Sequence, residues 1–208
     1  MDLQNAARGT DQGGKLMKLS VSHLQKKFRG EIILKDVSFE AESGEILCIK
    51  GRSGSGKTTL LNILVGYLPG DGGEIQPECF VRGYMPCAKV LLDSLTVEEN
   101  LALKENGAFS PNPELMMWAK HLGIDGLLPK YPHDLSSGEY KRALFCCVLL
   151  KHAPVLLLDE PTANLDAVSK KYILDAVQKI KKEHVTIIAS HDPAVFEIAD
   201  AVYDLENE

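Results

Sequence analysis

The chain has 208 residues, 45% of them hydrophobic and 25% charged, which fits one domain with a substantial buried core. Its net charge of −6 argues against general nucleic-acid binding, which usually needs a basic domain, so no nucleic-acid partner is expected. No stretch approaches the roughly 18 consecutive apolar residues of a membrane span, and no signal-peptide core is present, so we expect a cytoplasmic location.

The chain before residue 51 is predicted to be mainly β-structure. Residues 1–16 are polar and Gly-rich, so we expect a disordered segment or linker ahead of a domain over 17–208. Residues 20–22 and 37–41 alternate apolar and polar positions, which predicts strands with one buried face. The apolar run 45–50 predicts a further strand that leads directly into a glycine-rich loop.

That loop, at 51–58, is the most specific motif of the chain. It has the pattern Gly, four residues, Gly-Lys-Thr, between a predicted strand and a predicted helix over 60–65, which is the context of a phosphate-binding loop. Its amides form an anion cradle, Lys57 can reach the β- and γ-phosphates, and the Thr58 hydroxyl can bind Mg²⁺. The alternative, a Gly-rich turn that happens to precede Lys-Thr, is disfavoured by the flanking strand and helix. The predicted nucleotide contacts are Gly51, Arg52, Ser53, Gly54, Ser55, Gly56, Lys57, Thr58 and Thr59.

Strands and helices alternate through the remainder, which predicts an α/β fold. Turn-forming residues at 69–73 are predicted to end the helix that follows the loop. The continuously apolar strands are typical of a parallel sheet covered on both faces. The further predicted elements are a strand at 79–85, a helix capped by Thr96 with Glu99, a helix from Pro113, a helix at 138–152, a strand at 155–158, a helix at 167–182, and strands at 185–189 and 201–205.

Two acids, Asp159 and Glu160, close the apolar strand at 155–158. Neighbouring side chains on an extended backbone point in different directions, so the two acids can take different roles. We expect Asp159 to hold Mg²⁺, and Glu160 to act as general base for the water that attacks the γ-phosphorus. The alternative, two acids that merely end a strand before Pro161, is weakened by the phosphate loop upstream.

Residues 135–139 carry a family resemblance. They read Leu-Ser-Ser-Gly-Glu at the start of a predicted helix, and this is similar to the Leu-Ser-Gly-Gly-Gln signature of ABC-type ATPases. The chain resembles that family from residue 19 to 205. The resemblance implies that Ser136, Ser137 and Gly138 contact phosphate, as serine and glycine at a helix N-terminus can. A helix cap at Ser136 or Ser137 is the structural alternative, and the two roles can coexist.

Three further positions follow from the resemblance. Residues 163–166 match the family's D-loop, which implies that Asp166 lies at the nucleotide site. His191, at the end of a predicted strand, matches the switch histidine that contacts the γ-phosphate. Phe28 matches the aromatic residue that stacks on adenine. The alternatives are a histidine without function at a strand end and a core phenylalanine.

The resemblance also implies the architecture. It predicts a P-loop NTPase (RecA-like) core with a mostly parallel sheet, an N-terminal antiparallel β subdomain, and an α-helical subdomain inserted at about 88–150. One position departs from the family. The family has a glutamine where Cys87 follows Gly-Tyr-Met-Pro. Mg²⁺ prefers oxygen ligands, and Cys87 offers a thiol instead. The sequence therefore does not determine which group binds the metal at this position, or whether the loop couples the ATP site to a partner. A redox-sensing thiol has no supporting pattern in the sequence.

The resemblance implies an ATP-hydrolysing subunit of a membrane transporter, with ATP and Mg²⁺ as cofactors. It would work as a head-to-tail dimer with a second copy or a homologous subunit, and it would drive a separate transmembrane subunit from the inner face of the cell membrane. The brevity of the helical block and the sequence at 161–166 favour export over import. The alternatives are a soluble ATPase of this type in cytosolic assembly or repair, and a low-turnover regulatory ATP-binding module.

Overall fold

A computed structural model describes residues 17–77, 82–103 and 113–206. The predicted segment 1–16, and the first residues of the strand predicted from 79, lie outside this part of the chain. The described strands are Lys18–Phe28 (β1), Glu31–Glu42 (β2), Ile46–Lys50 (β3), Gly72–Gln76 (β4), Arg82–Met85 (β5), Val155–Asp159 (β6), Val185–Ser190 (β7) and Ala201–Asp204 (β8). The described α-helices are Lys57–Val65 (α1), Val97–Ala102 (α2), Pro113–His121 (α3), Ser137–Leu149 (α4), Ala167–Ile180 (α5) and Pro193–Ile198 (α6).

A five-stranded parallel sheet with the order β5-β6-β7-β3-β8 lies at the centre of the fold. Both of its faces are covered. In β6, Leu156 and Leu158 face a core shared with α2 to α6, whereas Val155 and Leu157 face α1 and the N-terminal strands. This two-sided burial explains why the strand is continuously apolar, and it confirms the predicted α/β class.

The N-terminal strands form a separate antiparallel sheet with the order β2-β1-β4. Its buried side chains, among them Val21 and Leu34, pack on α1 and one face of the parallel sheet. Strand β4 was not predicted, because Gly-Gly-Glu-Ile-Gln has little β-propensity. It is held by pairing with β1, where Val21 lies opposite Ile75.

The end of α1 also differs from the prediction. The helix ends at Val65, because Gly66 adopts the left-handed conformation with φ 87° and donates its N–H to the carbonyls of Asn62 and Ile63. The predicted turn at 69–73 therefore lies beyond the helix, and its last residues begin β4.

Helices α2, α3 and α4 lie between β5 and β6 in sequence, so they form the predicted helical insertion into the sheet. Trp118 and Leu122 pack in one cluster with Tyr140 and Phe145 of α4. The predicted capping box of α2 is present, since the Thr96 hydroxyl accepts the Glu99 N–H and the Glu99 carboxylate accepts the Thr96 N–H. Across the described ranges, no helix has both the length and the apolar character required to cross a bilayer.

Candidate nucleotide site

The site is built at the carboxyl ends of three adjacent strands. Strand β7 lies between β6 and β3, with Asp159 paired to Ala189 and Lys50 paired to Ser190. The chain segments that follow these strands start at Gly51, Glu160 and His191. Parallel strands present their carboxyl ends at one edge, so residues far apart in sequence meet there.

The phosphate loop leads into α1 through Gly56, whose φ of 97° is left-handed and favours glycine. No side chain in the described ranges caps this helix, so the amides of its first turn are open to an anion. The Lys57 side chain is 6% exposed, and its Nζ donates to the carbonyl oxygens of Gly51 and Arg52 at 2.7 and 3.0 Å. Lys57 thus braces the start of the loop.

The side chains of Arg52 and Ser55 contact other parts of the protein, although both residues were predicted to contact nucleotide. The Glu206 carboxylate accepts the Arg52 backbone N–H at 2.6 Å and the Arg52 Nε at 3.0 Å. The Arg52 side chain is therefore held by Glu206, and its nucleotide contact stays a prediction. The Ser55 Oγ is buried beneath the loop, where a Cβ added at Gly51 would lie 2.3 Å from it.

Thr58 and Asp159 form the part of the site that suits a cation. The Thr58 hydroxyl donates to Asp159 Oδ2 at 2.8 Å. Asp159 is 1% exposed, and its Oδ1 has no hydrogen-bond partner among the described residues. Burial raises the pKa of this carboxyl above its usual 3.8, although the Thr58 bond lowers it. A buried carboxylate oxygen without a partner, beside a hydroxyl, fits the oxygen ligands that Mg²⁺ prefers.

Glu160 lies at the centre of a polar cluster. Its Oε1 is 2.8 Å from His191 Nδ1 and 3.4 Å from Lys57 Nζ. Ser190 Oγ donates to its Oε2 at 3.4 Å. Glu160 has a φ of 48°, in the left-handed region that is uncommon for a residue with a side chain. The fold therefore brings the predicted base, the switch histidine and the phosphate-loop lysine within contact distance.

These residues line a pocket of about 450 Å³. Phe28 is part of its wall and is 43% exposed, which excludes the alternative of a core phenylalanine. The pocket is lined by Phe28, Ile33, Ser53, Gly54, Gly56, Lys57, Thr58, Thr59, Cys87, Asp159, Glu160, Ala163 and His191. An aromatic wall at one end and amides, a lysine and carboxylates at the other suit a nucleoside triphosphate.

A second group of predicted residues lies together outside this pocket. Ser136 caps α4 in a capping box with Glu139, so the structural alternative for this serine is confirmed. A Cβ added at Gly138 would lie 2.3 Å from Ser169 Oγ and 3.4 Å from Asp166 Oδ2, so glycine permits α4 to approach the start of α5. The Asp166 carboxylate accepts the N–H groups of Val168 and Ser169 as the cap of α5. Ser137 is the exposed first residue of α4.

Two polar residues that contact Glu160 were missed from the sequence. Ser190 contacts Glu160 from the end of β7. Lys141 donates from α4 to the carbonyl oxygens of Glu160 and Ala163 at 2.5 and 3.0 Å. The only signal for Lys141 in the sequence was its position one turn after Gly138, on the helix that begins in the 135–139 motif.

The fold and this site define a P-loop nucleotide-binding protein. The family model described as ABC transporter matches residues 34–163 of the chain. The chain therefore belongs to the ABC transporter family, as an ATP-binding subunit, and the predicted resemblance is confirmed.

Curated relatives agree with this assignment. The chain is 34% identical to the putative hemin import ATP-binding protein HrtA of Staphylococcus epidermidis, over 83% of this chain and 87% of that protein. It is also 34% identical to the ABC transporter ATP-binding protein YxdL of Bacillus subtilis, over 84% of this chain and 78% of that protein. A probable ABC transporter ATP-binding/permease protein of Haemophilus influenzae is 34% identical, but the chain spans 38% of its length.

Solved structures show the same fold. The structure of an ATP-binding subunit of an ABC transporter has a TM-score of 0.79 at 22% identity, over 90% of this chain and 85% of that chain. A bacterial Atm1-family ABC exporter with ATP bound has a TM-score of 0.80 at 25% identity, over 91% of this chain and 37% of that chain.

Proposed function

We propose that the chain hydrolyses ATP as a head-to-tail dimer and powers a separate transmembrane subunit. The observation that carries this proposal is the contact of Glu160 with both His191 and Lys57 beside the partnerless Asp159 oxygen. These groups supply a base, its orienting partner, a phosphate ligand and a cation ligand in one pocket.

ATP fits the pocket in one orientation. The adenine stacks on Phe28, and the phosphates lie over the amides of the loop and the N-terminus of α1. The Lys57 amine gives up its hydrogen bonds to the carbonyls of Gly51 and Arg52 and donates to phosphate oxygens instead. Thr58 and Asp159 would hold Mg²⁺, which supplies neutralisation of phosphate charge when bound.

Hydrolysis is assigned to Glu160. Its carboxylate takes a proton from a water whose oxygen bonds to the γ-phosphorus, while the bond from that phosphorus to the bridging oxygen breaks and ADP leaves. His191 Nδ1 and Ser190 Oγ contact the two carboxylate oxygens and fix their direction. The Lys57 amine lies 3.4 Å from Glu160, so a phosphate that draws this amine away also frees the base.

The second group of residues supports the dimer. Ser136, Ser137, Gly138 and Asp166 do not line the pocket that contains Lys57 and Glu160. They therefore remain available to contact a nucleotide that is bound to another chain. Open amides at the exposed start of α4 suit the γ-phosphate of an ATP bound to a second copy or to a homologous subunit.

A groove beside the nucleotide pocket suits the membrane partner. It has a volume of about 730 Å³ and lies between the parallel sheet, α2 and α4. Tyr67, Val90 and Leu92 are large apolar side chains in its wall, and they are 47–70% exposed. Cys87, Thr58 and Asp159 line both the groove and the nucleotide pocket. A cytoplasmic helix of the partner in this groove would place the chain at the inner face of the cell membrane.

Export is the transport direction that we propose, from the short helical block and the sequence at 161–166. The similar proteins include both kinds, since HrtA of Staphylococcus epidermidis is named a putative hemin import protein and the Atm1-family structure is an exporter. Co-purification of the membrane subunit, followed by transport assays in vesicles of defined orientation, decides between them. Accumulation of cargo on the ATP side of the membrane would exclude export.

The hydrolytic role of Glu160 is tested by Glu160→Gln. We expect kcat to fall by about 10²- to 10⁴-fold, because the amide cannot accept the proton, while the Kd for ATP stays within about twofold. The measurements are steady-state ATPase and binding of a fluorescent ATP analogue. Glu197→Gln, at an exposed position of α6, is the control. Hydrolysis by Glu160→Gln at the parental rate would exclude Glu160 as the base.

Lys57→Ala should act on binding instead. Loss of a charge-assisted contact of about 1.5–3 kcal/mol predicts a Kd for ATP raised by about 10- to 100-fold. The same binding assay measures it, with Lys171→Ala on the exposed face of α5 as the control. An unchanged Kd would show that the loop does not hold the phosphates.

A low-turnover regulatory module is the second candidate, and Cys87 in the wall of the nucleotide pocket is the observation that favours it. It predicts ATP binding with negligible turnover, with or without the membrane subunit. The soluble-ATPase alternative predicts turnover without recovery in the membrane fraction. Fractionation and ATPase assays of the native complex therefore separate all three.

A further inference from the structure

Lys141 joins α4 to the turn that follows β6. Its Nζ donates to the carbonyl oxygens of Glu160 and Ala163, which are 19 and 22 residues away in sequence. One side chain thus holds both ends of the four-residue turn that begins at the proposed base.

The backbone is unusual at the start of that turn and at the residue that follows it. Glu160 and Asn164 both have positive φ values, 48° and 60°, although neither is a glycine. Such conformations are unfavourable for residues with a side chain and persist where surrounding contacts impose them. The turn's own bond from the Ala163 N–H to the Glu160 carbonyl is long, at 3.3 Å. The two bonds from Lys141 are shorter and carry a charge, so they are the stronger constraint.

The surroundings of Lys141 explain why a charge is kept there. The side chain is partly buried, and burial lowers the pKa of its amine from 10.5. Cys87, Glu160 and Asp159 oppose that effect electrostatically. The ammonium therefore lies among the groups that line the end of the nucleotide pocket, and it binds two carbonyl dipoles there.

We propose that Lys141 is a positioning residue for hydrolysis, which holds the Glu160–Ala163 turn so that the Glu160 carboxylate stays directed at His191 and Ser190. Lys141 also follows Ser136 to Gly138 by one turn of α4. If the dimer proposed above is correct, the same helix meets one ATP at its start and positions the base for the other. Lys141 then links the two sites within one chain. The inference rests on the proposed role of Glu160.

The test is Lys141→Met, which keeps the unbranched aliphatic stem, one atom shorter, and removes both hydrogen bonds. We expect kcat for ATP to fall by about 10- to 100-fold, since small displacements of a reacting group have effects of that size. KM, and the Kd of a non-hydrolysable ATP analogue, should stay within about twofold, because no phosphate contact is lost. Lys141→Arg should recover most of kcat. Lys171→Met is the control for an exposed lysine.

A parental kcat in Lys141→Met would overturn the inference, as would equal losses in Lys141→Met and Lys141→Arg. If Lys141→Met does not fold, Lys141→Gln takes its place in the test, because glutamine keeps one nitrogen donor. An order of kcat of Lys, then Arg, then Gln supports the inference, and any other order overturns it. Glu160→Gln is assayed alongside. If it is active, the proposed function fails. If Glu160→Gln is inactive and the Lys141 variants have parental rates, only the role of Lys141 fails.

Discussion

Asp159 destabilises the fold and supplies a carboxylate oxygen to the proposed cation site. Its carboxylate is 1% exposed, and one oxygen has no partner in the described structure. Burial raises its pKa, so its ionised form opposes folding. Below the ordinary pKa of 3.8 the protonated group stabilises the fold, and this contribution is lost as pH rises through the folded-state value. At neutral pH the ionised carboxylate therefore lowers the free energy of unfolding, and a bound cation would offset that loss.

Asp159→Asn should therefore stabilise the nucleotide-free protein at pH 7 while it removes the proposed cation ligand. We expect Tm to rise by about 2–4 °C, the effect of roughly 1 kcal/mol in a domain of this size. The difference should shrink as pH falls from 7 through the raised pKa of the parental carboxyl. Calorimetry over this pH range measures it, with exposed Asp175→Asn as the control. A lower Tm for Asp159→Asn at all pH values would contradict the assigned cost.

At the scale of helices and strands, the features that could be predicted from the sequence are those that a local residue pattern determines. The apolar strands β6 and β7 and the helix starts at Thr96 and Pro113 were predicted because burial and capping have local signals. Strand β4 was not, because only its pairing with β1 makes it a strand. Lys141 was not assigned a role, because its partners lie on a turn distant in sequence. The pocket residues could be predicted from their motifs, but their mutual distances could not.

Two helices, α2 and α4, begin with a capping box. Comparing them separates the loss of stability from the loss of ATPase activity. Ser136→Ala and Thr96→Ala each remove the side-chain cap of a helix, so each should destabilise the protein by about 1 kcal/mol. Only Ser136 belongs to the proposed dimer site, so only Ser136→Ala should reduce ATPase beyond about tenfold, the loss expected with one charge-assisted contact. Denaturant unfolding and steady-state ATPase measure the two effects. Equal ATPase losses in both variants would assign the effect of Ser136 to stability alone.

At the scale of the whole molecule, the distribution of site residues is the main argument for a dimer. Lys57, Asp159, Glu160 and His191 meet in one pocket, whereas the residues at the start of α4 lie elsewhere. The family membership supports an ATP-binding subunit, and the head-to-tail arrangement stays a proposal. A single chain then holds two incomplete half-sites.

The most direct measurement is the molar mass of Glu160→Gln in solution, by light scattering with and without ATP and Mg²⁺. We predict the mass of one 22.8 kDa chain without nucleotide and twice that mass with it, because ATP that is bound but not hydrolysed keeps the dimer closed. Adding Ser137→Arg at the exposed start of α4 should abolish the dimer while ATP still binds. A monomer at saturating ATP, or a dimer unaffected by Ser137→Arg, would contradict the head-to-tail arrangement.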